Sequence, residues 1–97
     1  MTTISWTERA QNDLAAIHAF INRDSPHYAS VLVRKLLAAV DRLHDFPESG
    51  RAVPEFANPS VREVVRTPYR IVYRIVSDLE IHVLAVHHGA HSFPEDL

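Results

Sequence analysis

From Tyr69 to Val76 the chain reads Tyr-Arg-Ile-Val-Tyr-Arg-Ile-Val, and this stretch restricts the fold more than any other. In a strand, side chains alternate between faces, so Tyr69, Ile71, Tyr73 and Ile75 share one side and Arg70, Val72, Arg74 and Val76 the other. The first set is a core face and requires a layer to cover it; the second mixes charge with aliphatic surface. Shorter runs of the same kind flank it, so three strands are expected at roughly Arg62–Arg66, Tyr69–Val76 and Glu80–His87. Ser77-Asp78 offers a tight hairpin turn between the last two. The chain then ends in a histidine-rich tail, His87-His88-Gly89-Ala90-His91.

The covering layer is legible upstream. Thr3-Ile4-Ser5-Trp6 alternates as a short first strand. Thr7 is a hydroxyl N-cap, Glu8 places negative charge in the first turn, and Ala10, Leu14, Ile17 and Ile21 recur at helical spacing. Ser25-Pro26 restarts the chain as cap and first helical residue. A second helix then carries Ala29, Val33, Leu36, Val40 and Leu43 to about Asp45, where Phe46-Pro47 stops it. Val31, Leu32 and Leu37 widen its apolar stripe beyond the needs of one packing partner. A loop punctuated by Pro47, Gly50, Pro54 and Pro59 leads to the strands. The expected fold is α+β: an N-terminal strand and a helical hairpin packed on a small antiparallel β-sheet, in the order β-α-α-β-β-β. Residues 1–97 form a single domain, because a chain of 97 residues has room for one core.

Composition narrows the function classes. A formal charge of −2 and a pI near 6.4 argue against a general nucleic-acid binder, although the arginines cluster. With no cysteine there is no disulfide and no thiolate metal site. Neither a signal peptide nor a membrane-length apolar run is evident, so a soluble cytoplasmic protein with no membrane partner is expected.

Taken in order, several motifs resemble a known family. Trp6-Thr7 leads into a helix with Ala10, Asp13-Leu14 and Ile17. Ser25-Pro26 opens the next, and Phe46-Pro47-Glu48-Ser49-Gly50-Arg51 closes it. Pro54-Glu55, Arg62-Glu63-Val64, Tyr69-Arg70-Ile71-Val72-Tyr73-Arg74 and His88-Gly89-Ala90 follow. From Trp6 to about Phe93 this pattern resembles the RelE/ParE superfamily of type II toxin–antitoxin toxins, more closely its ParE branch. The resemblance implies a toxin neutralised by a cognate antitoxin within a hetero-oligomer. ParE-like members inhibit DNA gyrase by binding, whereas RelE-like members are endoribonucleases that cleave ribosome-bound mRNA. A degenerate toxin kept as a complex partner is a further alternative. Fold alone does not separate these activities.

RNA cleavage requires a base, an acid and cations for the phosphate. The resemblance makes Arg62 and Arg70 the phosphate-binding candidates, with His87, His88 and His91 near the position of a catalytic histidine. The bland reading of each histidine is a partly exposed residue at a strand end. Against the nuclease, Lys35 is the only lysine, and a negatively charged protein suits ribosomal RNA poorly. Glu48 and Glu55 are candidate bases, or loop acids paired with Arg51 or a neighbouring arginine. Arg62, Arg66 and Arg74 also fit surface charges that keep a sheet soluble. A metal shared by His87 and His91 with Glu95 or Asp96 lacks a closed ligand set, so no metal and no cofactor is expected. Val31 and Leu37 are the candidate antitoxin contacts, since both lie off the main stripe of the second helix.

Overall fold

The computed structural model describes residues 2–97. Strand β1 (Thr3–Trp6) leads into α1 (Glu8–Asn22) and α2 (Pro26–Asp41), and four more strands follow: β2 (Arg51–Ala52), β3 (Val61–Arg66), β4 (Tyr69–Ser77) and β5 (Glu80–His88). They form one five-stranded sheet in the order β1-β5-β4-β3-β2. The α+β hairpin-on-sheet architecture is as expected, with two refinements. The sheet is mixed, because β1 runs parallel to β5, pairing Thr3 with Glu80 and Trp6 with Val83. The antiparallel β3-β4-β5 meander leaves only its outer edges open, so the N-terminal segment joins at the β5 edge. The second refinement is β2, too short for an alternation signal, which pairs Arg51 with Glu63 and Ala52 with Arg62.

Both helix starts follow the capping logic. The Thr7 hydroxyl oxygen accepts from the Ala10 amide at 3.1 Å and donates towards the carbonyls of Val83 and Leu84, which ties α1 to β5. Ser25 accepts from the Tyr28 amide, ahead of Pro26 at the first position. Each such cap is worth about 1 kcal/mol. Helix α2 ends at Asp41, earlier than expected, and continues as a 3₁₀ turn over Arg42–His44. Phe46 precedes Pro47 and is disfavoured in helical geometry, and the tightened turn places Leu43 in the core beside Tyr73 and Ile81.

The helices cover the face of β4 that bears Tyr69, Ile71 and Tyr73, all buried. Leu32, Leu36, Ala39 and Val40 of α2 and Ala10 of α1 pack there with Val83 and Val86. The buried stripe of α2 is thus Ala29, Leu32, Leu36, Ala39 and Val40, with Leu32 inside it and Val33 only half-buried. The opposite face departs from expectation. Val72 is fully buried there, in a second core of Val53, Val61, Val72 and Ala85, covered by Phe56 of the proline-rich loop and by Leu84, Phe93 and Leu97. The loop and the C-terminal tail thus form a second covering layer.

A bulge sets the faces of β5. Val72 opposes Ala85 while Tyr73 opposes Val83, which leaves Leu84 as the extra residue. Val83 and Val86 both reach the helical side for that reason. Beyond the bulge, His87 lies on the same face as Arg70, and His88 on the same face as Tyr69.

Candidate functional site

The sheet face away from the helices carries the main concentration of charge chemistry, and it is built on an unexpected residue. Glu63 pairs with Val72 in the β3–β4 ladder and therefore points away from the helices, and it is 1% exposed. Its carboxylate is shared: Arg51 Nε donates to Oε2 at 2.7 Å and Arg70 Nε donates to Oε1 at 2.6 Å. The other two nitrogens of Arg70 reach Glu55 on the proline-rich loop, with Nη1 and Nη2 donating to its two oxygens at 2.9 and 2.7 Å. The Phe93 ring lies 4.4 Å from the Arg70 guanidinium carbon, a cation–π contact made by the tail. Arg51, Glu63, Arg70 and Glu55 form one chain of alternating charge.

Electrostatics follow from this geometry. The hydrogen bonds from Arg70 hold the Glu55 carboxyl below its ordinary range. The bond to Glu55, with help from Glu63, makes the Arg70 guanidinium still harder to deprotonate. Glu55 is therefore the loop acid paired with a neighbouring arginine, and it is a carboxylate at neutral pH.

Arg62 stands apart from this cluster. It opposes Tyr73 in the ladder and faces the helical side, where Nη1 donates to the carbonyls of Gly50 at 3.0 Å and Glu48 at 3.4 Å. It is a half-buried brace for the loop, not a surface charge. Tyr73 is the second brace, because its hydroxyl donates to the Pro47 carbonyl at 2.8 Å and accepts from the Gly50 amide at 2.9 Å. Tyr69 and Tyr73 are core aromatics, and burial raises the pKa of both phenols. A Cβ at position 50 would meet that hydroxyl at 2.5 Å and the Glu63 carbonyl at 2.7 Å, so only glycine fits. Arg66 and Arg74 are exposed.

Of the candidate catalytic residues, Arg70 and His87 are cross-strand partners, while Arg62 is on the other face. His87 Nε2 donates to the His91 carbonyl at 3.0 Å. His88 accepts from the Ala90 amide at Nδ1 and lies edge-on to Tyr69, with His91 stacked on it at 4.8 Å. Asp96 is turned to Arg9 at 2.7 Å, so the histidine–acidic ligand set is not assembled. Among the described residues no three potential ligand groups converge. The histidines instead border a groove of about 580 Å³ against α1, lined by Ile17, Phe20 and Tyr69.

Leu37 is 43% exposed and lies between two shallow grooves on the helical side. One, of about 380 Å³, includes Trp6, Leu14, His18 and Val33; the other, of about 440 Å³, includes Ile4, Trp6 and Val40. Val31 is half-buried and borders neither groove. Among the described residues no helix is long and apolar enough to cross a membrane.

Sequence reading missed Glu63 as the centre of the charged cluster. Its one signal was that Glu63 falls at an inward position in Val61-Arg-Glu-Val-Val, where an acid requires partners.

Comparison with known proteins places this geometry among relatives. Residues 4–93 match the family model described as the ParE toxin of type II toxin–antitoxin system, parDE. The chain is 34% identical over 90 residues to Toxin RelE2 of Caulobacter vibrioides, covering 93% of this chain and 98% of that protein. It is 41% identical over 96 residues to Y4kP of Sinorhizobium fredii, a candidate toxin, covering 97% and 95% respectively. A chain from the chromosomal ParDE TA system of P. aeruginosa superposes with a TM-score of 0.73 at 27% identity, covering 91% of this chain and 96% of that one.

Proposed function

Since this chain belongs to the ParE toxin family of type II toxin–antitoxin systems, we propose that it acts in the cytoplasm by binding DNA gyrase rather than by catalysis, and that a cognate antitoxin neutralises it. The observation that carries this reading is the state of Arg70. All three nitrogens on which a phosphate would depend are engaged by Glu63 and Glu55, and Arg62 lies across the sheet. An RNA-cleaving site needs free cations and a titrating group on one accessible surface. Here the cations serve the fold. The exposed apolar ground beside Leu37 suits the amphipathic helix of an antitoxin, with Val31 a lesser contact.

One observation favours the endoribonuclease reading: Arg70 and His87 are cross-strand neighbours. Two assays on the purified chain separate the readings. Gyrase supercoiling is expected to fall while primer extension finds translated message intact. Codon-linked cleavage that disappears in His87→Ala would overturn the gyrase reading. Neither effect, with the chain folded and no toxicity on expression, would mark a degenerate toxin.

A further inference from the structure

Three arginines meet at one hollow that the fold leaves unfilled. It measures about 330 Å³ and lies between the end of α2 and β3, with Arg42, Ser49, Arg51 and Arg66 on its walls. Arg42 and Arg66 have no carboxylate partner among the described residues. Arg42 lies over the Phe46 ring, and Arg66 gives one Nη to the Val65 carbonyl, so each keeps donors for another acceptor. Arg51 gives only Nε to Glu63, and its side chain is 63% exposed, which leaves its Nη nitrogens over.

The single acid on the wall does not cancel these charges. Glu63 is buried, and its two oxygens are already taken by Arg51 and Arg70. In a chain of net charge −2, the hollow thus gathers guanidinium groups in excess of carboxylates. The guanidinium fork matches the oxygens of a phosphate, and Ser49 adds an exposed hydroxyl. The rest of the lining is apolar, from Ala39, Val64 and Val65. An inorganic ion has no use for such a wall, whereas a sugar and a base do. Neither a histidine nor a free carboxylate lines the hollow, so it is built to bind a phosphate compound and not to cleave it.

We propose that this hollow is a binding site for a free nucleoside polyphosphate. The phosphates take Arg42, Arg66 and the Nη groups of Arg51, with the Ser49 hydroxyl as a further donor, and the nucleoside lies against Val64 and Val65. Arg66 leaves the Val65 carbonyl for a charged oxygen, which is the stronger acceptor. A nucleic-acid strand needs cations that continue beyond one hollow. The next arginines on β3 and β4, Arg62 and Arg70, are committed to Gly50 and to Glu55 and Glu63, so the site fits one nucleotide. It is separate from the apolar ground beside Leu37, and it depends on neither gyrase binding nor RNA cleavage.

The probe is ATP without added magnesium, titrated into the full chain and followed by NMR at the Ser49 and Val65 amides. Both resonances are expected to shift and saturate with a Kd at or below about 1 mM, and binding is expected to weaken as salt is raised. Arg42→Gln and Arg66→Gln are each expected to weaken binding about tenfold, the loss of one charged contact, with unchanged unfolding midpoints because both residues are exposed. Arg23→Gln, at the end of α1 and away from the hollow, is expected to change nothing. Inorganic triphosphate is expected to bind several-fold more weakly than ATP, and adenosine is expected to shift neither amide. Triphosphate that binds as tightly as ATP would overturn the nucleoside assignment. No saturation by about 10 mM ATP, or an equal loss in Arg23→Gln, would overturn the site itself. A single-stranded oligonucleotide that takes the same two amides more tightly than ATP would also overturn it, as a nucleic-acid face.

Discussion

Arg70 Nε lies 2.6 Å from Oε1 of Glu63, and through that bond an arginine with the strongest claim to hold an external anion is committed to an internal one. Glu63 is closed off from solvent, so its carboxylate relies on the two arginines that meet it. Arg51 and Glu55 extend the arrangement to a four-residue chain that joins β2, β3, β4 and the proline-rich loop. Arg70 belongs to the pattern of the fold because the second face of the sheet is organised around it.

Glu63→Gln tests this role. The variant keeps shape but presents an amide N–H to one of two arginine donors and leaves both cations without a buried counter-charge. A destabilisation of about 2 kcal/mol is expected, because Arg51 is largely exposed and Arg70 keeps Glu55, and it is read as a lower urea midpoint at neutral pH with an unchanged slope. A loss below about 1 kcal/mol would place the cluster among ordinary surface pairs.

Glu55 gives the same network a pH signature. Its carboxyl is held below its ordinary value in the folded chain, mainly by the hydrogen bonds from Arg70. The contribution is therefore fully present above the unfolded-state pKa and is lost as pH falls through the folded-state value. Glu55 is 41% exposed, so solvent screening keeps the effect under about 1 kcal/mol. The stability difference between the native chain and Glu55→Gln is expected to be flat near neutrality, to shrink through the acidic carboxylate range, and to be smaller in high salt. A difference that grows on acidification would have the wrong sign.

Tyr73→Phe removes one hydroxyl and leaves the Pro47 carbonyl and the Gly50 amide without their partner. Two main-chain groups lose their bond at a site that is otherwise buried. The expected cost is about 2 kcal/mol, with faster amide exchange at Gly50 and in the loop that follows. Unchanged exchange at Gly50 would mean that Arg62 alone holds the loop.

The layering of the molecule was legible in the chain because it rests on local signals. The Thr7 and Ser25 caps, Pro26, and the alternation of Tyr69–Val76 each specify an element without reference to distant residues. The parallel β1–β5 contact has no such signal, since it joins Thr3–Trp6 to Glu80–Val83 across the whole chain. The second core was hidden for a related reason. Val72 sits between two arginines in sequence, and only the return of Phe93 and Leu97 from the tail shows that it is buried. The bulge at Leu84 is also silent in the alternation, yet it assigns His87 to the face of Arg70 and His88 to that of Tyr69. The candidate residues were thus identifiable by type, but their sides were decided by long-range pairing.

Leu37 carries the prediction that separates docking from folding. Its neighbours on α2, Leu36 and Val40, are buried at 0% and 3%, while Leu37 itself is 43% exposed between two grooves. Substitution there touches little of the core, so Leu37→Glu is expected to shift the unfolding midpoint by no more than about 0.5 kcal/mol. A docking helix, by contrast, would have to bury the new carboxylate against Trp6 and Val33, which is costly without a partner. Expression of Leu37→Glu beside its antitoxin is therefore expected to remain toxic where the native chain is silenced, with the complex weakened at least about tenfold in pull-down titration. Val31→Glu, nearer the core and outside both grooves, is expected to cost stability instead. If Leu37→Glu is neutralised as readily as the native chain, the antitoxin helix docks elsewhere, and the groove between α1 and the histidine tail becomes the surface to substitute next.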